Sequence, residues 1–74
     1  MTGLPEPSVQ EVQHELDRVT EFLADRFGTI DRATVRRFVT DTYDQLARQA
    51  TVRTHLIALT ERAARDRLRD HAAE

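Results

Sequence analysis

The stretch Asp31-Arg-Ala-Thr-Val-Arg-Arg-Phe-Val-Thr-Asp-Thr-Tyr-Asp-Gln-Leu-Ala47 decides the fold. Its large side chains, Val35, Phe38, Val39, Tyr43 and Leu46, recur at the i, i+3, i+4 spacing of one helical face. With Thr42 among them they form a stripe broad enough to touch two neighbours rather than one. A middle helix of this kind needs an apolar segment on each side of it in the chain. Both are present.

Upstream, Val9, Val12, Leu16, Val19, Leu23 and Phe27 alternate by three and four, a heptad-like seam. Ser8-Val-Gln-Glu11 opens it as a capping box, the Ser8 hydroxyl accepting from the Glu11 amide while the Glu11 side chain reaches back. Gly28 follows the seam at once and suits the left-handed position that ends many helices. Helix one is expected over about 9–27. Thr29-Ile30 then makes the turn, and Asp31 is the next N-cap. Ile30 at N′ and Val35 at N4 have the spacing of a hydrophobic staple. So short a connection makes helices one and two antiparallel neighbours.

Downstream, helix two is expected over about 32–48, followed by the connection Arg48-Gln-Ala-Thr-Val-Arg-Thr54. Thr51 and Thr54 both have N-cap chemistry; Thr54 is favoured, with Val52 tucked into the core from the loop. Helix three then spans about 55–71. Leu56, Leu59 and Ala63 lie on one side of it, and Ile57, Ala64 and Leu68 on the other. The first set is assigned to the core. The second set, together with Phe22 of helix one, is assigned to a dimer interface, with small Ala64 permitting close helix approach.

These readings define an all-α chain: an antiparallel three-helix bundle over 8–74 behind a disordered leader at 1–7, where Pro5 and Pro7 disfavour helix. The expected core is Val12, Leu16, Val19, Leu23, Phe27, Val35, Phe38, Val39, Leu46, Val52, Leu56 and Leu59.

Composition narrows the function. A chain of 74 residues is one small domain, of the size often reinforced by disulfides, metal or oligomerisation. A cysteine count of 0 removes disulfides and thiolate zinc, and leaves oligomerisation. No apolar run nears the roughly 18 residues of a membrane span, and the first residues are too polar for a secretory signal, so a cytoplasmic location is expected. His14, His55 and His71 stand in no metal-binding spacing, and Gly3 and Gly28 are too isolated to build a phosphate loop. No catalytic residue, metal or cofactor is therefore expected.

Charge is uneven along the chain. Through Asp31 the acids are Glu6, Glu11, Glu15, Asp17, Glu21, Asp25 and Asp31, against Arg18 and Arg26 alone. Arg32, Arg36, Arg37, Arg48, Arg53, Arg62, Arg65, Arg67 and Arg69 follow. An acidic helix beside basic ones provides complementary fields within one bundle or between two copies. The Arg-bearing faces of helices two and three also raise a DNA- or protein-binding reading, a helix-turn-helix with a basic second member. A net charge of −2 and a long, Gly-free connection weigh against nucleic acid.

Four phrases carry a resemblance: Glu21-Phe-Leu-Ala-Asp-Arg-Phe27, Ile30-Asp-Arg-Ala-Thr-Val35, Ala50-Thr-Val-Arg-Thr-His-Leu56 and Leu59-Thr-Glu-Arg-Ala-Ala-Arg-Asp-Arg-Leu68. Together, over about 9–68, the chain resembles the actinobacterial three-helix-bundle dimerization domain. That module occurs alone or at the N-terminus of low-molecular-weight phosphatase-like proteins, including arsenate reductases. One departure is Ile57, where members often carry Pro after the His-Leu pair; Pro there would mark a first helical turn. The catalytic, cysteine-bearing portion of such proteins has no counterpart in these residues. The resemblance implies a non-catalytic self-association module, a homodimer, with docking on a separate phosphatase-like protein as a further option.

Overall fold

The computed structural model describes residues 9–49 and 55–73, which form three helices of 18 residues each. They are α1 (Val9–Arg26), α2 (Arg32–Gln49) and α3 (Leu56–Ala73). The expected leader, Ser8 of the capping box, and Thr51, Val52 and Thr54 of the second connection lie outside the described residues. No described helix is long and apolar enough to cross a membrane.

Local chemistry sets the helix limits. The Asp31 carboxylate accepts the Thr34 amide at 3.1 Å and the Thr34 hydroxyl at 2.7 Å, while its carbonyl accepts the Val35 amide at 3.1 Å. This is the expected N-cap, complete. The end of α1 differs from expectation. Neither Gly28 nor any other described residue has a positive φ. The chain instead tightens through the Phe27 amide donating to the Leu23 carbonyl and the Ile30 amide to the Phe27 carbonyl, both at 2.9 Å. These bonds engage the Leu23 and Phe27 carbonyls without a left-handed residue. At α3 the His55 carbonyl accepts the Leu59 amide at 3.0 Å, so His55 occupies the position that Asp31 holds for α2. The helix begins one residue later than the spacing predicted.

α2 is the middle member. It packs along both neighbours, while α1 and α3 share a much shorter contact. Asp17 and Glu21 of α1 pair with Arg36 and Arg32 of α2. Phe38 and Thr42 of α2 meet His71 and Arg67 of α3. In both sets, numbers rise along one helix as they fall along the other.

Leu16, Val19, Leu23, Val35, Val39, Ala64 and Leu68 make one buried cluster, against which Val12, Phe27, Ile30, Phe38, Tyr43 and Ile57 are partly buried. Leu56 is also buried, and Leu46 is half-buried. Each enclosed Leu or Val adds about 1.5–3 kcal/mol of transfer free energy. Two expectations on α3 are corrected. Leu59, assigned to the core, is 52% exposed. Ala64 and Leu68, assigned to an intermolecular patch, have 0% exposure inside the monomer. The inward row is Leu56, Thr60, Ala64 and Leu68, spaced by four, in place of the row through Leu59 and Ala63.

Among the described residues three threonines are also buried, one per helix: Thr20, Thr42 and Thr60. Thr20 donates to the Leu16 carbonyl at 2.8 Å and Thr60 to the Leu56 carbonyl at 2.7 Å. A hydroxyl satisfied by its own helix leaves the methyl free to pack, which removes most of the cost of burying it.

Candidate functional site

The cross-helix polar contacts are edge seals. Arg36 reaches Asp17 at 3.4 Å and Arg32 reaches Glu21, tying the outer flank of α1 to α2. All four side chains are about half exposed, so each pair contributes little, about 0–1 kcal/mol. On the other side of α2, Arg67 of α3 donates to the Thr42 hydroxyl at 3.1 Å and also to the Gln45 side-chain carbonyl. Thr42 is fully buried, so this guanidinium satisfies an oxygen that water cannot reach. The rings of Phe38 and His71 close the same seam at 5.3 Å between centroids.

Burial separates the predicted interface residues. Ala64 and Leu68 belong to the core, and Ile57 packs against it half-buried. Phe22 alone of the four is exposed, at 47%, with the Arg26 guanidinium over its ring at 5.7 Å. That geometry is a cation–π contact on the open flank of α1. Among the described residues Leu59 and Val9, at 52% and 85% exposure, are the other large apolar side chains turned outward. Sequence spacing shows Arg26 one turn beyond Phe22. The exposure of Leu59 had no such signal, because its apolar character argued for the core.

Among the described residues no group of three or more His, Cys, Asp or Glu could hold a metal ion. The Asp31 carboxyl titrates below its ordinary value because the Thr34 hydroxyl, and then the Thr34 amide, hydrogen-bond the ionised form. That serves the helix cap and points to no reactive centre. The Nε of half-buried Arg65 is enclosed without a hydrogen-bond partner among the described residues.

A small three-helix domain with a closed apolar core and charged outer faces is the class of protein these features define. The chain belongs to the family of N-terminal domains of protein-tyrosine-phosphatase-like proteins, whose family model matches residues 16–72. The match runs from within α1, through α2, to the penultimate residue of α3. Comparisons with curated proteins and with solved structures found no match.

Proposed function

We propose that the chain is a non-catalytic association module: an antiparallel three-helix bundle that pairs with a second copy of itself. Any phosphatase-like chemistry it accompanies then resides outside these residues. The observation that carries the reading is Phe22, an aromatic left 47% exposed on α1, the helix whose contact with α3 is short. Membership of a family of N-terminal domains of phosphatase-like proteins supports an accessory role over a catalytic one. It also favours a second reading, in which the domain docks on a phosphatase-like protein.

Sedimentation equilibrium from about 1 µM to about 1 mM covers the range of weak to moderate self-association. The expected outcome is a concentration-dependent rise from the 8.5 kDa of one chain to twice that mass. A chain that stays at the monomer mass at several hundred micromolar defeats self-association and leaves docking as the function to test.

A further inference from the structure

We draw no further inference here: the strongest candidate, the exposed surface patch that Phe22 and Arg26 form on α1, carries nothing beyond the reading above because nothing in the structure shows what covers it.

Discussion

Asp31 joins two segments through one carboxylate, and its chemistry can be read at the level of single atoms. Thr34 supplies both partners, hydroxyl and amide, and both favour the ionised carboxylate. The folded pKa therefore lies below the unfolded one, so the stabilisation is fully present above the unfolded value of about 3.9. It is lost as pH falls through the folded value. A proton titration of Asp31 followed by NMR is expected to give a midpoint below 3.8. Asp31→Ala should lower the thermal midpoint at neutral pH and Asp31→Asn should retain most of the stability, since an amide oxygen still caps. Equal midpoints for the parent and Asp31→Ala would remove the cap from the account. Gly28 gives the opposite expectation. It has no positive φ, and a Cβ placed on it meets nothing within 4 Å. Gly28→Ala should raise stability by about 0.4–1 kcal/mol through the unfolded chain. A destabilised variant in urea melts would show that this turn needs glycine after all. Both residues stand out in the sequence, but only Asp31 has the role its identity suggests. A cap is defined within four residues, whereas the backbone angle of Gly28 follows from where α2 must go.

At the scale of the element, α3 shows what periodicity leaves undecided. Leu56 belongs to two rows: one through Leu59 and Ala63, the other through Thr60, Ala64 and Leu68. The first looks more apolar near the start of the helix. The second is buried, because Thr60 bonds its own backbone at 2.7 Å and Leu68 fills the core further along. Leu68→Ala is expected to cost about 2–5 kcal/mol, against less than about 0.5 kcal/mol for Leu59→Ala. Comparable costs in chemical denaturation would mean that the helix is rotated from this arrangement. The α2–α3 seam offers a finer probe. A double-mutant cycle on Thr42→Val and Arg67→Ala should return a coupling of about 1 kcal/mol for the bond at 3.1 Å. Additive single effects would assign that contact no energetic role. Thr42 was visible as a member of the α2 stripe. Its partner was not, since residues 25 apart are joined only by the fold.

The whole molecule distributes its charge by helix, acidic on α1 and richer in Arg on α2 and α3. Part of that asymmetry is spent internally, where Arg32 and Arg36 meet Glu21 and Asp17. With a net charge of −2 and a pI of about 5.9, the surface lacks the basic excess by which proteins displace counterions from nucleic acid. Mixed-sequence duplex DNA at about 50 mM salt should therefore show only weak binding without sequence preference. Selective binding in a gel-shift titration that survives about 150 mM salt would reverse the ranking of the two readings, with Arg62 and Arg65 the first residues to replace.

The amino-acid sequence by itself determined the three helices to within one or two residues at the described ends, the Asp31 cap, α2 as the middle member, and the α1 core residues Leu16, Val19 and Leu23. These follow from interactions within a turn or two of helix, which neighbouring residues specify. Only the tertiary structure decided the rotation of α3, the core positions of Ala64 and Leu68, the outward Leu59, and the short contact between α1 and α3. Moving from one apolar row to the next turns a helix by tens of degrees without breaking a single backbone hydrogen bond, so local chemistry does not choose between them. Packing chooses, because the row with small Ala64 at its centre lets α3 approach its neighbours closely and enclose Leu68.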